Sequence, residues 1–108
     1  MKTAIFAKKV LMMKSEQELA EFYERLKKEL EETTSFPTSY LYKFIVPTDA
    51  QKIETLNSVF EKTDAEIKTR PSSNGKYTGV SVTILLQNPD EVIHYYKEAG
   101  KIEGIVSL

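Results

Sequence analysis

The stretch from Lys76 to Leu86 constrains the fold of this chain most. Apolar and polar residues alternate along it, a turn sequence precedes it and a helix start follows it. Its apolar residues recur at every second position, as Val80, Val82, Ile84 and Leu86, which predicts a strand with one buried face. The turn sequence Ser-Ser-Asn-Gly precedes it and predicts a hairpin with a short polar strand over residues 65–69. A helix start, Asn88-Pro89-Asp90-Glu91, follows at once.

Similar signals define the other elements of residues 36–108. Alternation over residues 40–46 predicts a first strand, Thr48 and Gln51 predict a capping box for a first helix, and Gly100 fits the C-terminal cap of a second helix. A last strand is expected over residues 102–108. The order strand, helix, strand, strand, helix, strand predicts an α+β, ferredoxin-like βαββαβ fold, with a four-stranded antiparallel sheet of order 4-1-3-2 and two helices on one face.

An additional N-terminal helix is expected over residues 15–35. Ser15 and Glu18 form a capping box, and an apolar stripe at helical spacing follows it, made of Leu19, Phe22, Tyr23, Leu26 and Leu30. This amphipathic helix should pack against the domain or against a second copy. Residues 1–14, with four lysines and no acid, are expected to form a flexible leader, with Met12 or Met13 as an alternative start.

Composition argues against several functional classes. A net charge of -1 provides no field that would attract nucleic acid or an anionic membrane, and no apolar run is long enough to span a bilayer. The chain has no Cys and one His, His94, which is expected on the solvent side of the last helix. We therefore expect no catalytic residues, no metal, no cofactor, no nucleic-acid or membrane partner, and a cytoplasmic location.

The predicted hairpin carries the densest side-chain chemistry. The candidate ligand-binding or partner-binding residues are Lys68, Arg70, Pro71, Ser72, Ser73, Gly75, Lys76 and Tyr77. Three cations beside two hydroxyls suit an anionic group such as a phosphate or a carboxylate. The simpler interpretation is that Asn74-Gly75 makes a turn with positive φ while the charges protect an edge strand from aggregation.

A second candidate surface lies on the face of the sheet that points away from the two domain helices. The outward positions of the first and third strands include Leu41, Lys43, Ile45 and Leu85. An uncovered apolar patch usually indicates an interface. We expect either the N-terminal helix or a second subunit to cover this candidate interface, which makes a homodimer possible.

The motifs also resemble those of a known family. Phe36-Pro37-Thr38, the pattern Pro-Ser-Ser-x-Gly-x-Tyr at residues 71–77, and Gly100-Lys101-Ile102 are similar to those of the YbeD-like family of small bacterial proteins. The resemblance implies a ferredoxin-like fold similar to ACT regulatory domains, no established activity, and a regulatory role in the bacterial cytosol. The turn over residues 46–49 lacks the Gly of amino-acid-binding ACT domains, which argues against amino-acid sensing.

We therefore predict a non-enzymatic regulatory or adaptor module that binds a protein partner or a small anionic ligand. An ACT-like small-ligand sensor is the alternative. An RNA-binding module ranks lower, because such modules stack bases on exposed aromatic residues and the outward positions of the first and third strands include a single aromatic, Tyr77. An enzyme also ranks lower, because His94 is not expected to reach either hairpin serine.

Overall fold

The structure is a computed structural model that describes residues 16–108. The predicted leader and the Ser15 capping box lie outside the described residues. The elements are α1 (Glu16–Thr33), β1 (Thr38–Pro47), α2 (Ala50–Val59), β2 (Glu66–Pro71), β3 (Tyr77–Leu86), α3 (Pro89–Gly100) and β4 (Val106–Ser107).

The four strands form one antiparallel sheet in the order β2-β3-β1-β4. This is the predicted order, counted from the opposite edge, and the α+β ferredoxin-like prediction is confirmed. The alternating residues of β3 are buried as predicted, at Val80, Val82, Ile84 and Leu86. The inward face of β1 is buried at Tyr42, Phe44 and Val46.

Tyrosine side chains fill the space between the sheet and α3. The hydroxyl of Tyr42 donates a 2.8 Å hydrogen bond to the Val92 carbonyl, and the Tyr40 and Tyr96 hydroxyls lie 2.8 Å apart. Burial raises the pKa of Tyr42 and of Tyr96, because the charged phenolate would lose its hydration. These aromatic rings therefore fill the core while their hydroxyl groups remain hydrogen-bonded.

Helix α1 packs against α3 and lies in the helical layer. Its stripe is buried at Phe22, Tyr23, Leu26 and Leu30. At the rim, the Lys27 ammonium lies 3.0 Å from Asp90, and the Lys97 ammonium lies 5.4 Å from the centre of the Tyr23 ring. The N-terminal helix was one of the two predicted covers for the open face of the sheet. It lies on the other side and does not cover that face.

The predicted Thr48–Gln51 capping box is wrong by one residue. Asp49 is the cap, and its carboxylate accepts hydrogen bonds from the N–H groups of Gln51 (2.9 Å) and Lys52 (3.2 Å). Aspartate is a stronger cap than threonine, so the local preference favours the observed register. Thr48 is engaged elsewhere, because its hydroxyl lies 2.9 Å from the Thr78 hydroxyl.

The predicted cap at Gly100 is also wrong. Helix α3 includes Gly100, and Lys101 follows it with an ordinary helical backbone (φ -72°). After α3, it is Gly104 that adopts positive φ, at +82°, in the connection to β4. The last strand is consequently confined to Val106–Ser107, which is shorter than the predicted 102–108.

Candidate binding site on the open sheet face

One face of the sheet carries no helix, and its side chains form rows across the strands. The strand register places residues of β2, β3 and β1 opposite one another in three rows: Arg70–Gly79–Ile45, Lys68–Ser81–Lys43 and Glu66–Thr83–Leu41. All four predicted interface residues lie on this face, because Leu41, Lys43, Ile45 and Leu85 occupy outward positions. The predicted cations Lys68 and Arg70 lie on the same face.

The apolar part of this open face is concentrated at one end. Leu41 is 51% exposed and Leu85 is 61% exposed. Leu41 lies opposite Thr83, so Leu85, two residues further along β3, is its diagonal neighbour. Two adjacent, largely exposed leucines are the kind of apolar surface that an interface buries.

The charged part of the open face is mainly cationic. Lys68 pairs with Glu66 at 3.2 Å. Lys43 and Arg70 have no ion-pair partner within the part of the chain that the structure describes. Three cations and one carboxylate leave this face with a net positive charge. Two of the cations are free to pair with an incoming anion.

A depression of about 940 Å³ lies beside this cationic surface. Gly79 forms part of its floor, between Arg70 and Ile45. The backbone of Gly79 is ordinary, and an added Cβ would contact only the Arg70 carbonyl oxygen, at 3.6 Å. Neither conformation nor packing therefore requires a glycine here, and the missing side chain leaves this depression, which we call the Gly79 hollow, open.

The hairpin beside the Gly79 hollow is held together by the Ser72 side chain. Its hydroxyl donates to Asn74 Oδ1 (2.9 Å) and accepts from the Tyr77 N–H (3.2 Å). The Gly75 N–H donates to the Ser72 carbonyl (3.0 Å), and Gly75 has a φ of +75°. Asn74 does not share this conformation, so the predicted Asn-Gly turn has positive φ at Gly75 alone.

Comparison with known proteins places the chain in a family. The family described as "Protein of unknown function (DUF493)" matches residues 31–108. The chain belongs to this family. UPF0250 proteins of Erwinia tasmaniensis and Serratia proteamaculans are each 32% identical to it over 81 residues, which are 72% of this chain and 93% of each relative. The predicted YbeD-like resemblance is thereby confirmed.

A solved structure shows the same fold. The solution structure of protein HP0495 from H. pylori matches with a TM-score of 0.56 at 19% sequence identity. The match covers 70% of this chain and 86% of that one. Membership of the DUF493 family therefore defines the fold and leaves the activity open.

The structure brings most of the predicted hairpin residues of this DUF493 protein together. The residues that line the Gly79 hollow include Lys68, Arg70, Pro71, Ser72, Ser73 and Tyr77. Gly75 and Lys76 are not among them; the Lys76 carbonyl accepts the Thr48 N–H at 2.9 Å and ties the hairpin to the start of α2. Sequence reasoning missed Gly79 and Ser81 as site residues, although a glycine inside a strand is a recognised signal of a close approach.

The remaining chemistry of the described residues lies apart from this site. His94 is exposed on α3 with its ring beside Tyr95, and Ser72 is occupied by the hairpin. Among residues 16–108, no group of three His, Asp or Glu side chains could hold a metal ion. No helix in this range is long and apolar enough to cross a membrane.

Proposed function

We propose that this DUF493 protein is a non-catalytic binding module that regulates or recruits a partner protein, and that the partner docks on the open sheet face. The observation that carries the proposal is the exposed pair Leu41 and Leu85 on a sheet face that α1 leaves uncovered. Most apolar side chains of the domain are buried, so two neighbouring exposed leucines favour an interface over chance exposure.

Charge complementarity indicates the kind of partner. The middle of the open face carries Lys43, Lys68 and Arg70 against the single acid Glu66. A second copy docking face to face would bring Lys43 and Lys68 close to the same residues of its partner, and like charges at an interface cost free energy. An acidic surface with apolar side chains at one end fits better, so the proposal is a heterologous complex.

A small-ligand sensor is the second candidate. The observation that favours it is the Gly79 hollow, which is large enough for a metabolite and lies beside Arg70, which has no ion pair among residues 16–108. A sensor of this kind would resemble ACT domains in fold but would use the open face of the sheet. Ligand binding would raise the free energy of unfolding with the logarithm of the ligand concentration once that concentration exceeds Kd.

Affinity purification with matched variants tests the proposal. The face variant is Leu41→Thr with Leu85→Thr, which keeps strand-favouring residues and removes the apolar pair. The control variant is Lys28→Ala with Glu32→Ala, two exposed positions of α1 with no change in net charge. A partner recovered with the wild type and the control, and bound roughly tenfold more weakly by the face variant after purification, supports the proposal.

The opposite pattern contradicts it. If every protein recovered with the wild type binds the face variant equally well, the open face is not the docking surface. If the control variant alone loses the partner, the interface lies on the helical layer.

A further inference from the structure

The polar lining of the Gly79 hollow consists of cationic donors and hydroxyl groups. Lys68 and Arg70 supply the charges, and no carboxylate is among the lining residues. The hydroxyls of Ser73 and Ser81 have no hydrogen-bond partner within residues 17–108. A site with several unused donors and no acid favours a ligand that brings acceptor oxygens and negative charge.

Arg70 is the cation of the Gly79 hollow that is available to bind an anion. Arg70 has no ion pair within the described residues, whereas Lys68 already shares its charge with Glu66 at 3.2 Å. A free guanidinium offers two parallel N–H groups, which match the two oxygens of a carboxylate. The Gly79 hollow also has apolar lining beside Arg70, which favours an anion carried on a carbon chain over inorganic phosphate.

The floor of the Gly79 hollow is apolar where a carbon chain would lie. Ile45 is half-buried beside Gly79, and the Tyr77 ring, 49% exposed, stands at the hairpin end. Because Gly79 has no side chain, a short aliphatic stem can reach the backbone between Arg70 and Ile45. Filling that space with any larger residue would close the path.

We propose that the Gly79 hollow is a carboxylate-binding site in which Arg70 holds the carboxylate and Ile45 and Gly79 accommodate its aliphatic stem. If the carboxylate belongs to a partner protein, the inference rests on the proposed function, and the partner inserts an acidic side chain that is flanked by apolar residues. A free aliphatic dicarboxylate presents the same chemistry, and the experiment separates the two sources.

The test follows backbone amides by NMR in the isotope-labelled full chain at constant ionic strength. The protein-like probe is acetyl-Leu-Glu-Leu amide, and its neutral control is acetyl-Leu-Gln-Leu amide. Glutarate and inorganic phosphate serve as the free dicarboxylate and the competing anion. The variants are Arg70→Gln, which removes the charge, and Gly79→Val, which fills the hollow. Thr83→Val is the control, four residues from Gly79 on the same face of β3.

The glutamate peptide is expected to shift the amides of Gly79 and Ser81 in saturable fashion, with the glutamine peptide and phosphate roughly tenfold weaker or inactive. Arg70→Gln and Gly79→Val should each weaken binding by a similar factor, whereas Thr83→Val should not. Tighter binding of glutarate than of the peptide supports the carboxylate site and assigns it to a free metabolite.

Equal shifts from the glutamine peptide, stronger binding of phosphate, or binding that survives Gly79→Val would each overturn the inference. A dispersed amide spectrum from each variant would show that the variant is folded. If a partner docks on Leu41 and Leu85 but neither the glutamate peptide nor glutarate binds, the proposed function stands and the carboxylate site is rejected. The proposed function and the carboxylate site can therefore fail separately.

Discussion

Arg70 and Ile45 lie on either side of Gly79 in one row of the open sheet face, with no side chain between them. The row therefore joins a cation that has no ion pair in the described part of the chain to a half-buried apolar side chain, with an empty position between them. A ligand placed there can contact charge, apolar surface and backbone at once. This combination, together with the exposed leucines further along the sheet, makes the open face the best candidate for the function of this DUF493 protein.

The first prediction concerns the stability of a variant at Gly79. Gly79→Val should leave the free energy of unfolding unchanged or raise it by up to about 1 kcal/mol, because valine favours strands and loses less backbone entropy than glycine. Urea unfolding measures this value. A loss of more than about 1 kcal/mol would mean that the backbone requires glycine, and the space would then be a by-product of folding.

The second prediction concerns the docking of α1. Leu26 is 2% exposed, so Leu26→Ala should lower the free energy of unfolding by about 2–5 kcal/mol. Leu19→Ala, at a partly buried position of the same stripe, should cost less. Denaturant unfolding compares the two. Equal, small effects would indicate that α1 is not part of the folded unit and is available to cover another surface.

The third prediction separates the two hairpin serines. Ser72→Ala removes the acceptor of the Tyr77 N–H and the donor to Asn74, and should cost about 1 kcal/mol. Ser73→Ala should change stability by less than about 0.5 kcal/mol, since its hydroxyl has no partner within the described residues. Thermal unfolding of the two variants provides the comparison. If Ser73→Ala is the more damaging change, the hairpin is built differently.

The fourth prediction is a loss of stability at alkaline pH. Burial raises the pKa of Tyr23 to about 12, and burial also raises the pKa of Tyr40, Tyr42 and Tyr96. A tyrosine in the unfolded chain titrates near pH 10, so above about pH 10 the unfolded state loses protons that the folded state keeps. The free energy of unfolding is therefore unaffected by these groups below that pH and falls above it.

A tyrosine that stays protonated in the folded chain contributes a slope that approaches about 1.4 kcal/mol per pH unit as the pH rises above about 10. Urea unfolding from about pH 8 to about pH 11 measures the total slope. Tyr96→Phe should lower stability at neutral pH, because the bond to Tyr40 is lost, and should make the alkaline slope shallower. An unchanged slope in this variant would show that the Tyr96 hydroxyl is not protected from solvent.

The sequence predicts the elements well where one signal stands alone. The alternation in β3 and the Asn88-Pro89 start of α3 have no local competitor, and the cap is observed, with Asn88 accepting the Glu91 N–H at 2.9 Å. Thr48 and Asp49 are adjacent and both can cap a helix, so the capping-box pattern Thr48–Gln51 competes with the stronger cap Asp49. The observed cap is Asp49, and the Thr48 hydroxyl contacts Thr78 instead.

The site is less predictable than the fold because it depends on strand register. Sequence composition locates the cations and hydroxyls of the hairpin but does not show that Gly79 lies directly between Arg70 and Ile45, since that follows from pairing residues distant along the chain. The position of α1 also depends on contacts between residues distant along the chain. An amphipathic stripe predicts that the helix packs against something, but only its contact with α3 shows on which side of the sheet the helix lies.

The most direct test of the central claim is site-specific photo-crosslinking in cells. A benzophenone amino acid replaces Leu85 on the open face, and a parallel protein carries it at Lys28, an exposed position of α1. We predict a discrete adduct with a second protein from position 85, weakened by Arg70→Gln, and no such adduct from position 28. An adduct from position 28 alone, or a crosslinked dimer of this chain from position 85, would contradict the account.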